Sequence, residues 1–334
     1  SGWWRIFTPR CRSSPERCKR FIAQDFISKQ TSGRLSACRR FFIMRALLCL
    51  SLVPFAAMPL SPAFAKPVEI APSTPWNADY GEGRCRLARI FGEGENRHLL
   101  FIDQYGPGKT FGLTVAGPAY DRFGHRQRTA LRFYEGQRPF RTAPYTGEVE
   151  GFGTGVIYSN VSLEHGTEDK EDEEAPASLP QLDTGLADQT RFIGLLQRAS
   201  EVRLMTGPLG KAFAELNKCT QGLVDSWGVD AAAHLTATRA ARWTNQDAVV
   251  RRIQANYPRS ALGAGQQGIV RMRVIIDEAG AVERCTLLNV TEADKLQSPA
   301  CEAMREARFE PALDASGQPM RSFMTTSIAY QIGN

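Results

Sequence analysis

The tail of this chain carries the pattern that most restricts its fold. From Gly268 the sequence reads GIVRMRVIIDEAGAVERCTLLNV, and Val270, Met272, Val274 and Ile276 alternate with polar or outward positions. A period of two marks a strand buried on one face. Asp277, Glu278, Ala279 and Gly280 supply turn chemistry, Gly280 being able to take a positive φ, and a second strand follows through Val282, Leu287 and Val290. Residues 298–308 have helix spacing, with Ser298 at the N-cap, Pro299 at the first helical position and Pro311 closing the segment. The last strand sets Phe323, Thr325 and Ser327 against Met324, Thr326 and Ile328. Upstream, a helix over 245–256, capped by Thr244 with Asp247 three residues on, turns Val249, Val250 and Ile253 toward the same unit.

This succession of short helix, hairpin, helix and strand carries Tyr257, Pro258, Ala261, Gly268, Val270, Val274, Asp277, Gly280, Val282, Ala303, Met304, Arg305, Arg308, Phe309, Glu310 and Pro311. It resembles the C-terminal domain of the TonB family of energy transducers. Each piece alone is common; the combination in this order and spacing is specific, and it covers the last quarter of the chain. The resemblance implies a three-stranded antiparallel sheet with helices on one face; with the strand-like runs and the one long helix read before it, the fold class is α+β, a TonB-like unit after a mainly-β domain. It implies a periplasmic binding protein that takes an extended peptide of an outer-membrane receptor as an added strand. No catalytic residue, metal or cofactor is implied. Partner contact falls on the last strand, at Arg321, Phe323, Thr325, Ser327, Ala329 and Gln331, while Phe309 reads as core. The alternative under the same likeness is an envelope structural protein that holds peptidoglycan or another periplasmic protein. An exposed edge also allows a strand-exchanged homodimer. The long Pro-rich spacer of force-transmitting members has no counterpart here.

The net charge of +6 reflects the beginning of the chain: residues 1–65 hold 11 Lys/Arg and 2 Asp/Glu, and the rest is slightly acidic. No clustered basic face points to nucleic acid. From Met44, one arginine precedes an apolar run over 46–60, and Ala63, Phe64 and Ala65 form an A-x-A site. Pro54 and Pro59 interrupt the run, which is shorter than the ~20 residues of a bilayer span. The expectation is a signal peptide over 44–65, cleaved after Ala65, and export to the periplasm. The competing reading is an uncleaved inner-membrane anchor facing the periplasm, the leader then being the chain's membrane contact. Residues 1–43 read as a basic extension upstream of the normal start at Met44, disordered, or alternatively as a long basic n-region; on either reading they do not bear on the fold.

Four cysteines follow the leader: Cys85, Cys219, Cys285 and Cys301. An even number in an exported chain reads as disulfides, with three pairings to choose from. The family likeness puts Cys285 and Cys301 on elements that pack together, which implies Cys285–Cys301 and leaves Cys85–Cys219.

The expected organisation is a mainly-β domain over 66–230, a linker over 231–245 and the TonB-like domain over 246–334. Residues 66–79 are Pro-rich and read as an extended lead-in. Strand-like runs follow at 85–91, 98–103, 110–116, 130–134 and 155–163, punctuated by glycine and proline, as in a small antiparallel sandwich or half-barrel. Residues 192–205 add strands to the same sheet. The acidic run 168–174 reads as a solvated loop. Phe213, Leu216, Cys219, Leu223 and Trp227 fall at helix spacing, with Gly228 just past the end.

Signs of other chemistry are weak. Gly106, Pro107, Gly108, Lys109 and Thr110 imitate the end of a phosphate loop, but Asp103 stands where its first glycine belongs, so a hairpin turn is the reading. His98, His125, His165 and His234 are scattered without a second ligand at helix spacing and read as surface residues. Nothing marks a hydrolase or another enzyme.

Overall fold

The computed structural model describes residues 4–5, 66–123, 128–164, 178–266, 268–289 and 297–330. Residues 1–23 and 65–334 form one compact unit; 24–64 form a second, which lies outside the described residues. Also outside them are the signal-peptide segment, the acidic run 168–174, His125, His165, Val290 and Gln331.

The strands before the first helix are β1 (Trp4–Arg5), β2 (Val68–Ile70), β3 (Asn77–Gly81), β4 (Arg84–Phe91), β5 (His98–Gln104), β6 (Phe111–Ala116), β7 (Thr129–Arg132), β8 (Phe140–Thr142), β9 (Tyr145–Val149) and β10 (Gly153–Val161). After them come α1 (Thr184–Asp188), β11 (Ile193–Gln197), β12 (Ser200–Leu204) and the long α2 (Gly210–Ser226). They build two sheets. The larger has the order β1-β9-β10-β6-β5-β4-β3, the smaller β2-β12-β11-β7-β8. Leu87, Leu100, Ile102, Leu113 and Val156 of the large sheet share one core with Leu131, Leu195 and Val202 of the small one and with Phe213 and Leu216 of α2.

Two expectations need correcting here. Residues 192–205 do form a hairpin, but β11 and β12 belong to the second sheet, as does β7. The Pro-rich lead-in is also structural: β2 runs parallel to β12 and buries Ile70, and β3 pairs with β4. Pro67, Pro72 and Pro75 flank these strands and never sit inside them, so no ladder donor is lost.

The remainder is α3 (Ala231–Leu235), β13 (Arg242–Trp243), α4 (Gln246–Ala255), α5 (Arg259–Gly263), β14 (Gly268–Ile276), β15 (Val282–Asn289), α6 (Ala300–Met304), β16 (Phe309–Glu310), β17 (Ala312–Leu313), β18 (Pro319–Met320) and β19 (Ser322–Tyr330). An antiparallel sheet of order β15-β14-β19 carries α4 and α6 on one face. Met272, Val274 and Ile276 point into that face, against Val249, Ile253, Ala303, Met304 and Phe309. The fold class is therefore α+β, as the sequence implied.

Both inferred disulfides are present. Cys85–Cys219 fastens α2 to β4, and Cys285–Cys301 fastens α6 to β15. Gly280 shows why the hairpin turn needs glycine: its φ is +80°, and a Cβ there would lie 2.0 Å from the Phe309 carbonyl oxygen. The caps differ from expectation. Asn245 precedes α4 without a side-chain cap, its carboxamide oxygen accepting from Arg308 N instead, and the Thr244 hydroxyl donates to Arg308 O. Residue 299 caps α6, which stops at Met304, well before Pro311. Ser298 still accepts from Ala300 N.

The candidate docking edge and the cleft beside it

Strand β19 is held by β14 through nine registered pairs, from Ser322 opposite Ile276 to Tyr330 opposite Gly268. No strand among the described residues pairs with its other side. It contains neither proline nor a charged residue, the usual devices that blunt an edge. Its C-terminal end is anchored by Tyr330, whose ring meets Tyr257 edge-on at 5.2 Å and whose hydroxyl lies 2.6 Å from Ser298 Oγ. Tyr257 in turn donates to Gln266 O; burial pushes its own hydroxyl up to about 12.

The strand's odd-numbered side chains turn toward the mainly-β part of the unit. Arg321 forms an ion pair with Glu283 at 2.6 Å and donates to Gly228 O. Phe323 lies edge-on to Trp227 at 5.5 Å and 5.6 Å from the His234 ring. Thr325 packs on Gly106, where a Cβ would come within 2.8 Å of its methyl. Ser327 accepts from Arg271, and Ala329 is exposed. The residues singled out from the sequence thus do share a face, but four of them already have partners within the chain.

Of the remaining family-motif residues, Phe309 is buried and stacks on Trp243, Pro311 O accepts from Arg239, and Arg308 is exposed. Asp277 accepts from Ala279 N and Ala281 N, closing the hairpin turn. Pro258 opens α5 and Gly268 begins β14.

Beside β19 lies a cleft of about 330 Å³. One wall is the β5–β6 connection from Asp103 to Gly112, with Asn160; the other is Arg271, Arg273, Thr325 and Ser327. The glycines and proline of this connection do form the expected hairpin turn, and Gly106 allows the close approach to β19.

Arg271 and Arg273 were read from the sequence only as outward positions of an alternating strand. Arg271 donates to Asn160 Oδ1 at 3.2 Å, to Ser327 Oγ and to Ser159 O, and lies 4.9 Å from the centre of the Tyr105 ring. Arg273 lies over the Trp227 ring at 4.6 Å. Neither forms an ion pair among the described residues, and the Nε of each is buried without an acceptor. Burial lowers both guanidinium pKa values; Arg284 adds to this at Arg273, whereas Tyr105 and Asp103 oppose it at Arg271. Tyr105 is pushed up to about 12, first by burial and then by Asp103. Asp103 itself is held by Arg86, at 2.6 and 2.9 Å. The signal in the sequence was two cations on one strand face with no acidic residue interleaved.

The histidines are a further correction. His98 is 0% and His234 2% exposed. His98 Nδ1 donates to Asn96 O, and its Nε2 accepts from Ala119 N. His234 Nδ1 donates to Asp230 O, and Nε2 lies 3.1 Å from Ser322 Oγ. Each ring is buried because the backbone satisfies it, which spacing in sequence does not reveal. Among the described residues no group of three His, Cys, Asp or Glu side chains could hold a metal ion, and no helix is long and apolar enough to cross a membrane.

Residues 253–332 match the family described as Gram-negative bacterial TonB protein C-terminal. None of the curated proteins is similar to the chain at the sequence level. The likeness is confined to the C-terminal sheet and its helices, which thus form a TonB C-terminal-like domain.

Proposed function

We propose that this protein is a periplasmic TonB-like adapter that captures an extended peptide of an outer-membrane receptor by adding it to the free side of β19. The observation that carries this reading is the nine-residue register of β19 with β14, alone among the described strands. Main-chain hydrogen bonds supply the affinity, and every second peptide side chain faces the cleft. Ala329 adjoins the open edge, Thr325 and Ser327 form part of the cleft wall, and Arg321 and Phe323 hold the strand in position. In this reading residues 44–65 direct export, and the periplasm then accounts for two disulfides in one chain.

The test is a backbone NMR titration of the exported protein with peptides copied from the periplasmic N-terminal segments of its organism's outer-membrane receptors. Shifts concentrated in residues 322–330 support the reading. Shifts confined to other strands, or concentration-dependent dimer formation through β19 that excludes peptide, overturn it.

A further inference from the structure

We propose that the cleft beside β19 reads carboxylate side chains, so that the segment captured there is acidic at alternate positions. The inference rests on strand addition and goes beyond it by assigning the chemistry of the ligand. Arg271 and Arg273 are two residues apart on β14 and share one face. A buried cation without a counter-ion is costly, and neither arginine has one among the described residues. The carboxylate in the wall gives neither of them a hydrogen bond, because Arg86 holds both Asp103 oxygens, and its charge only partly offsets the burial of Arg271. Arg284 strengthens the positive field, its guanidinium donating to Trp227 O just beside Arg273. The stacking of Arg273 on Trp227 fixes its plane but satisfies none of its donors.

An arginine fork is shaped for two parallel hydrogen bonds to a carboxylate. Neighbouring strands lie about 4.8 Å apart, so a strand added outside β19 runs about 10 Å from β14. Opposed glutamate and arginine side chains can bridge that gap through the cleft, past Thr325 and Ser327. Only alternate residues of an added strand face this way. The expected recognition pattern is therefore Glu at every second position, with the intervening residues unrestricted.

The experiment uses the exported chain with both disulfides intact and two capped nine-residue peptides, one alternating Thr and Glu, the other Thr and Gln. In the native protein the Glu peptide should bind about tenfold or more tightly than the Gln peptide, a difference of about 1.4 kcal/mol. Arg273→Gln should bring the two within about twofold, Arg273→Lys should keep part of the preference, and Arg305→Gln, the same charge change at an exposed residue just past α6, should leave it intact. Equal binding of both peptides, with shifts along 322–330, would overturn the charge readout and leave strand capture standing. Loss of the preference in Arg305→Gln as large as in Arg273→Gln would overturn it too, by showing a general charge effect. If neither peptide moves the last-strand amides, strand capture fails and the carboxylate site falls with it.

Discussion

The two faces of the C-terminal sheet are built on opposite principles. The face under α4 and α6 is apolar, with Met272, Val274 and Ile276 packed against Phe309 and Met304, and it is fastened by Cys285–Cys301. The face toward the mainly-β part carries Arg271 and Arg273 at the positions between, with Ile275 joining the larger core and Phe323 packing against it. One face secures the fold through burial and a cross-link. The other leaves positive charge and hydrogen-bonding groups beside an edge that no described strand pairs, an arrangement that does little for stability and that the proposed recognition would use. The same nine residues of β14 supply both, because alternate side chains of a strand point to opposite sides.

If that contrast is right, the largest loss comes from the apolar face. Phe309→Ala should cost about 4 kcal/mol of unfolding free energy in a urea titration. Removing Cys285 and Cys301 together should cost about 3 kcal/mol by the same measurement, as expected for a loop of this length.

Acid should weaken the buried-histidine positions next. Burial lowers the pKa of both His98 and His234, more than the nearby Asp121 and Asp230 raise them. The folded state then binds fewer protons than the unfolded chain, whose histidines titrate near ~6.5. Stability is complete above that value and is lost as pH falls through it toward the lower folded values. The denaturation midpoint should drop over this range, and His234→Asn should reduce the slope. A flat profile would show that neither ring is buried in its neutral form.

On the cleft face the sign can reverse. Arg273→Met should change stability by less than about 1 kcal/mol, or raise it, because a buried donor without an acceptor is removed. A loss as large as that from Phe309→Ala would erase the distinction between the faces. Glu306→Gln, which touches only the exposed pair with Arg252, should stay within about 0.5 kcal/mol.

How much of this could be read in advance depended on whether the cause was local. The β14–β15 hairpin was legible because period-two alternation and the Gly280 turn act over a few residues. Core membership of Phe309 and both disulfides followed from the family likeness. The short strands β2 and β3 were missed, since what fixes them is pairing with β12 and β4, burial of Ile70 in a core built from distant residues and the Tyr80 bond to Glu215, none of which their own sequences show. The division into two sheets was missed for the same reason. Burial of His98 and His234 depends on carbonyl and amide groups brought in by the fold. Arg271 and Arg273 looked like an ordinary solvent face, because periodicity tells which residues share a side and not what lies opposite it.

In the proposed mode of capture, β19 keeps one row of backbone groups unpaired until an extended segment arrives. Residue-resolved amide hydrogen exchange, with and without a bound peptide, tests this most directly. In the free protein, alternate amides between Ser322 and Tyr330 should exchange fast while the β14 amides stay slow, and peptide should slow the fast set. Uniform protection of β19 in the free protein, or an unchanged fast set in the complex, would contradict the account.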